Sequence, residues 1–178
     1  RCVCFGSLAQ RNVVTRTTLN RFLDAMSGEA YKVFDINLRQ HFYTMEVLKD
    51  SLVRCNILKL NDEELVILSE LLELSEKSIE GKCWEMMKRF DLKVLILTCG
   101  VQGSYVFSGD TRSFLDTPHV KVVDTVGAGD SFTAAFCAAI LKGKSMVEAH
   151  RLAVEVSAFV CGQAGAMPRL PEKLKGIL

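Results

Sequence analysis

Short apolar runs that alternate with segments of helical spacing constrain this chain more than any other feature. Residues 92–98, Leu-Lys-Val-Leu-Ile-Leu-Thr, are almost continuously apolar. Such a run suits a strand covered on both faces, because a strand with one wetted face would alternate. Shorter runs at residues 2–5, 31–36 and 57–60 read as strands too. Between them apolar residues return every three or four positions. Leu19, Phe22, Leu23 and Met26 predict a helix over 15–26, capped by Thr15 or Thr17 and stopped at Ser27-Gly28. Further helices are expected at about 45–54, 62–72 and 77–89. Strands alternating with helices imply βαβ units, hence a three-layer α/β/α, Rossmann-like fold: a mainly parallel sheet with helices on both faces.

Beyond residue 98 the turn Gly100-Val-Gln-Gly103 leads to an expected antiparallel hairpin, with strands at 104–108 and near 112–114. A strand at 120–123, a glycine turn, a helix with apolar spacing from Phe132 to Ile140 and a last helix at about 145–161 follow. Gly162 ends that helix, and Pro168 and Pro171 lie beyond it. In such folds ligands sit at the carboxyl ends of the strands. Each candidate below follows an expected strand, which places all of them on one edge.

Composition excludes several classes. The 178 residues, 49% hydrophobic, can bury one sizeable core, and the net charge of +1 leaves no footprint for nucleic acid or an anionic membrane. No apolar run approaches the roughly 18 residues that span a bilayer. The seven cysteines lie mostly in apolar runs without paired metal spacing, which implies buried reduced thiols in a cytoplasmic protein. His41, His119 and His150 are scattered and read as surface or boundary residues, and Trp84 with Met86-Met87 as core. Arg1 is not a methionine, and a core-like strand begins at once, so the chain is expected to be the later part of a longer protein.

The chemistry concentrates at Asp124-Thr-Val-Gly-Ala-Gly-Asp130, read as a turn between strand and helix. Gly127 and Gly129 let a backbone approach a ligand closely, and the first amides of the following helix lack intrahelical partners. Together they make an anion site suited to phosphate, and Asp130 in the same turn could take a proton. The competing reading is structural: Asp124 and Asp130 cap a turn and a helix. Asn61-x-x-Glu64 is either a capping box or a Mg²⁺-orienting pair, and both roles are compatible. Asp35, Asn37 and Arg39 bring an acid, an amide and a guanidinium to one strand end, suited to a phosphoryl or sugar oxygen, or merely to an exposed ion pair. Thr98-x-Gly100-x-x-Gly103 is a ligand-lining turn or a plain hairpin turn. Neither a P-loop nor Gly-x-Gly-x-x-Gly is present.

The stretch from Asp124 to Asp130, continued by Ser131-Phe132-Thr133 and Ala134-Ala135-Phe136, resembles the carboxy-terminal signature of the PfkB (ribokinase-like) carbohydrate kinases. Gly6-Ser7-Leu8, Asp35-x-Asn37-x-Arg39, Asn61-x-x-Glu64, Thr98-x-Gly100-x-x-Gly103 and Gly165-Ala166 follow in the family's order, and the nearest likeness is to bacterial fructokinase-type members. Cys137 is unusual for the pattern. The resemblance implies a ribokinase-like fold and ATP-dependent phosphorylation of a sugar primary hydroxyl, fructose first. Ribose, a nucleoside or a keto-deoxy sugar acid as acceptor, and an inactive nucleotide-binding module, stand as alternatives. Asp130 would be the base, with the amides of Gly127, Ala128, Gly129 and Asp130 holding charge on the moving phosphoryl group. Asn61 and Glu64 would organise Mg²⁺, through water, and the phosphates. Thr98, Gly100 and Gly103 would line the nucleotide pocket, with the region from Val154 to Gly165 on adenine. Asp35, Asn37 and Arg39 would face the substrate. Asp124 and the carbonyls near Val126, Val160 and Gly165 resemble a monovalent cation (K⁺) site of some members. Residues 1–178 would then be the carboxy-terminal ATP-binding and catalytic part of a kinase domain. The lid that also forms the homodimer, and most sugar-gripping residues, would lie upstream, so this polypeptide alone should be inactive.

Overall fold

The computed structural model describes residues 1–175 and divides into two compact units, residues 1–98 with 107–111, and residues 99–106 with 112–175. The first unit alternates strands and helices as the sequence pattern predicts: β1 (Cys2–Phe5), α1 (Val13–Ala25), β2 (Tyr31–Asp35), α2 (Met45–Arg54), β3 (Ile57–Asn61), α3 (Asp62–Leu71), α4 (Ile79–Arg89) and β4 (Val94–Thr98). The second unit begins at Cys99, and its boundaries fall within the hairpin of β5 (Ser104–Ser108) and β6 (Thr111–Leu115). It continues with α5 (Ala128–Leu141), α6 (Met146–Cys161) and the single turn α7 (Glu172–Lys175). The six strands are ordered in the sheet as in the chain, and β1 to β4 are parallel, with Val33 opposite Ile57 and Ile57 opposite Val94. The fold is α/β with a mainly parallel sheet, as the alternation of strands and helices implies.

The apolar runs become covered strands for the reason the sequence gives. The adjacent Ile57 and Leu58 of β3, and Leu60 beyond them, are all fully buried, which only a sheet covered on both faces allows. Leu95, Ile96 and Leu97 of β4 repeat this. Side-chain caps set the helix starts. Thr44 Oγ1 accepts the Val47 amide at 3.2 Å before α2, and Ser78 Oγ accepts the Gly81 amide at 3.0 Å before α4. Trp84 packs edge-on against Phe107 with ring centroids 5.0 Å apart.

Several expectations are corrected. Helix α1 starts at Val13, two turns' worth of β-branched residues notwithstanding, because Asn12 Oδ1 accepts the Val14 amide at 2.9 Å; neither Thr15 nor Thr17 is the cap. Of its apolar positions only Leu23 is buried, and Phe22 is exposed. No strand forms at 120–123. Lys121 interrupts that run, and instead of a sheet ladder the amides of Val123 and Asp124 bond the Cys161 carbonyl at 2.9 and 3.3 Å. Helix α5 starts at Ala128, four residues before its apolar periodicity. Cys4 is exposed and Cys2, Cys137 and Cys161 are half-buried, whereas Cys55, Cys83 and Cys99 are buried. Burial pushes the Cys55 thiol up to about 12.

His150 is not a surface residue. It is fully buried in α6, with Nε2 at 2.8 Å from Ser104 Oγ of β5 and Nδ1 at 2.9 Å from Ser113 Oγ of β6. Helices α5 and α6 pack against each other, and Ala135, Ala139, Ala149 and Ala153 are all nearly or fully buried.

Candidate active site

In the second unit the loop before α5 is held from both its ends. Asp124 Oδ1 accepts the Val126 amide at 2.9 Å, and Oδ2 accepts the Gly165 amide at 3.2 Å. The expected cation ligand therefore acts as a backbone brace, tying the signature loop to the loop after α6. Burial, and then the charge of Asp124, keep the neighbouring Cys161 thiol above its ordinary value. Gly127 is the N-cap residue in the left-handed region, at φ 84°, and no side chain caps the helix. A Cβ at Gly127 would lie 2.7 to 2.8 Å from the backbone and side chain of Ala166, so only glycine fits the approach. The Ala128 amide folds back on the Thr125 carbonyl at 3.2 Å, closing the turn. Gly129 and Asp130 occupy the first turn of α5, where amides have no partner within the helix. Asp130 is exposed. Ser157 of α6 donates to the Ala128 carbonyl at 3.0 Å and fixes the start of α5 against α6. Val154 lies in the middle of α6, half-buried, and Val126 is exposed.

Gly100 and Gly103 shape a turn. Both have positive φ, 53° and 125°, around a short 3-10 turn at Gly100–Gln102. A Cβ at Gly103 would meet the Leu115 carbonyl at 2.5 Å and the Phe114 ring at 2.9 Å. Close packing under the hairpin thus explains Gly103 by itself. The Gly100 carbonyl accepts from Thr117 Oγ1 at 2.6 Å.

In the first unit three candidates stand at strand ends, as βαβ topology dictates. Asp35 ends β2, Asn61 ends β3 and Thr98 ends β4, with Thr98 Oγ1 donating to the Leu60 carbonyl at 3.5 Å. Asn61 and Glu64 form a complete capping box: Asn61 Oδ1 accepts the Glu64 amide at 2.7 Å and Glu64 Oε2 accepts the Asn61 amide at 2.9 Å. Glu64 Oε1 accepts the Leu38 amide at 2.8 Å. Burial raises the Glu64 carboxyl above its ordinary value, opposed by those two amides and by the Lys59 ammonium. Asp35 is 7% exposed and receives Lys59 Nζ at 3.0 and 3.1 Å, one hydrogen bond to each oxygen. Asp35 pairs with Lys59, not with Arg39, so the exposed ion pair weighed from the sequence is not what forms. Arg39 is exposed, and Asn37 takes a left-handed φ of 45°. Lys59 escaped sequence reasoning, although a single lysine inside Ile57-Leu-Lys-Leu60 was the visible signal. Among the described residues no group of three or more His, Cys, Asp or Glu could hold a metal ion, and no helix is long and apolar enough to cross a membrane.

Comparison with known proteins adds the relatives. Fructokinase-1 of Zea mays is 28% identical over 180 residues, covering 94% of this chain and 54% of its own length. Thus the chain spans about half the length of the curated relatives it matches. Among solved structures, fructokinase from Vibrio cholerae O395, in a form with fructose, ADP and calcium ion bound, superposes with a TM-score of 0.84 at 23% identity. It matches 99% of this chain and 60% of its own. Aminoimidazole riboside kinase of Salmonella enterica, complexed with aminoimidazole riboside and an ATP analog, gives a TM-score of 0.80 at 22% identity, over 99% of this chain and 62% of its own. These likenesses carry the fold; the pfkB family model matches residues 8–173, and with the signature loop and α5 arranged as described, the chain belongs to the pfkB family of carbohydrate kinases.

Proposed function

We propose that the full-length protein transfers the γ-phosphoryl group of ATP to the primary hydroxyl of a sugar, fructose first. The observation that carries this reading is the start of α5: an uncapped helix N-terminus, a left-handed Gly127 closed on Ala166, and an exposed Asp130 in the first turn. Ala166 packs against Gly127 and admits no side chain there, and the helix end left uncapped favours negative charge.

In this reading Asp130 takes the proton as the hydroxyl oxygen bonds to the γ-phosphorus. The bond from that phosphorus to its bridging oxygen breaks, and ADP leaves. The amides at the start of α5 hold the charge that builds on the phosphoryl oxygens, the usual source of acceleration for phosphoryl transfer. Asn61 and Glu64, hard oxygen donors, are the groups that would orient Mg²⁺ through water. The ion would neutralise phosphate charge. Val154, Gly165, Thr98, Gly100 and Gly103 serve the nucleotide, and Asn37 and Arg39 the substrate side; Asp35, already held by Lys59, supports them. Asp124 would serve K⁺ only with oxygens that already accept two amides.

The test is an ADP-release assay on the full-length protein with a panel of sugars and nucleosides. Fructose-dependent turnover is expected, and Asp130→Asn should lower kcat by at least about a hundredfold with ATP binding retained. Wild-type-like turnover in that variant removes Asp130 as the base. A nucleoside acceptor is the second reading, favoured by the likeness to the riboside kinase, and the same panel separates the two. The polypeptide of residues 1–178 alone should show no efficient turnover.

A further inference from the structure

Gly6-Ser7, singled out in the sequence only by its place in the family order, meets the loop that follows β2. Ser7 is 1% exposed. Its hydroxyl donates to the Ile36 carbonyl at 2.8 Å and lies 3.4 Å from the Asn37 carbonyl, and its own amide donates to Ile36 at 3.3 Å. A Cβ on Gly6 would press on the Asp35 carbonyl at 3.1 Å, so the two chain segments are in close contact. From another element, Glu64 of α3 holds the next amide of the same loop, that of Leu38, at 2.8 Å, while its second oxygen holds Asn61. A loop fixed at 36, 37 and 38 then carries Asn37 in a strained left-handed conformation, and Arg39 exposed beyond it. Such strain persists only where neighbours over-determine the backbone.

We propose that Ser7 and Glu64 are positioning residues. Through the backbone of residues 36–38 they set where Asn37 and Arg39 present their donors to an anionic or hydroxyl oxygen of the substrate. Glu64 thereby acts on the reaction by holding a loop, whether or not it also orients a metal. Neither residue need touch substrate. The kinetic part of this inference rests on the proposed function, but the loop clamp does not.

Two measurements on the full-length protein test it. The first is hydrogen exchange at the Leu38 amide. Ser7→Ala and Glu64→Gln should each speed it by about tenfold or more, since glutamine can accept from one amide but presents a donor to the other. Glu148→Gln breaks the equivalent capping box of α6, where Ser145 and Glu148 pair, and should leave Leu38 unchanged. The second is a double-mutant cycle. Ser7→Ala should lower kcat/KM by about tenfold in the wild-type background and by less than about twofold on top of Arg39→Ala, while its shift in melting temperature is the same in both. Unchanged exchange at Leu38 in both variants overturns the clamp. Faster exchange with kinetic losses that multiply overturns the action through Arg39. If no acceptor is phosphorylated, the proposed function fails, and the exchange result alone decides the clamp.

Discussion

Protonating His150 should destabilise the second unit's helical pair, and the size of the effect follows from its surroundings. The imidazole is fully buried between α6 and the β5–β6 hairpin, and burial alone lowers it from 6.5 to about 4. Its two serine partners do not oppose charging by themselves, because hydroxyls can turn to accept from both ring nitrogens. Desolvation is what disfavours the imidazolium. With the folded value depressed, the unfolded chain binds a proton that the native state refuses. Stability is therefore complete above 6.5 and is lost as pH falls through the window down to about 4. Linkage gives a loss of about 2 kcal/mol at pH 5 and about 3 kcal/mol at pH 4. Urea unfolding of wild type and His150→Gln at about pH 7.5 and pH 5 isolates this term, since carboxylates titrate alike in both proteins. The stability difference between the two should shift by about 2 kcal/mol in favour of glutamine at the lower pH. A shift under about 0.5 kcal/mol, or an NMR titration of His150 with an ordinary midpoint, would show that water reaches the ring and refute the argument.

Two further substitutions probe the site's supports. Lys59→Met strands the buried Asp35 carboxylate without its ammonium partner and should cost about 3 kcal/mol in urea unfolding; a loss below about 1 kcal/mol would mean the pair is solvated. Gly127→Ala must hold a left-handed φ of 84° with its Cβ inside contact distance of Ala166. It should lose about 2 kcal/mol of stability and weaken ATP binding measured by calorimetry, and unchanged affinity would separate the loop's shape from its phosphate role.

What the sequence disclosed and what it hid divide by chain distance. The capping box at Asn61 and Glu64 spans three residues, so its geometry was written in the spacing. The covered strands β3 and β4 were legible because burial on both faces leaves an unbroken apolar run. The residue at which α5 starts was not legible because Gly129 and Asp130 have weak helix propensity and the apolar period begins only at Phe132, while the left-handed Gly127 that sets the start is a tertiary contact with Ala166. Residues 120–123 look like a strand but join no sheet; the Val123 amide serves the end of α6 instead. His150 was misread because its burial depends on Ser104 and Ser113, 46 and 37 positions away.

The same distinction separates the polar candidates. Asp35 and Glu64 both looked like ligands because carboxylates at strand ends are where ligands bind. Folding gives each a partner that the local sequence does not show: Lys59 from the neighbouring strand for Asp35, and the Leu38 amide for Glu64. A buried carboxylate that gave up such partners would lose about 1 to 3 kcal/mol per hydrogen bond, which substrate binding would have to supply. Arg39 and Asp130 face no such cost, being exposed where they stand. Groups that meet the substrate are therefore best sought among the exposed polar residues, and the buried carboxylates among those that hold them in place. The Ser7–Glu64 clamp on residues 36–38 follows that logic: the chain spends buried polar atoms on fixing a loop whose exposed end carries Arg39.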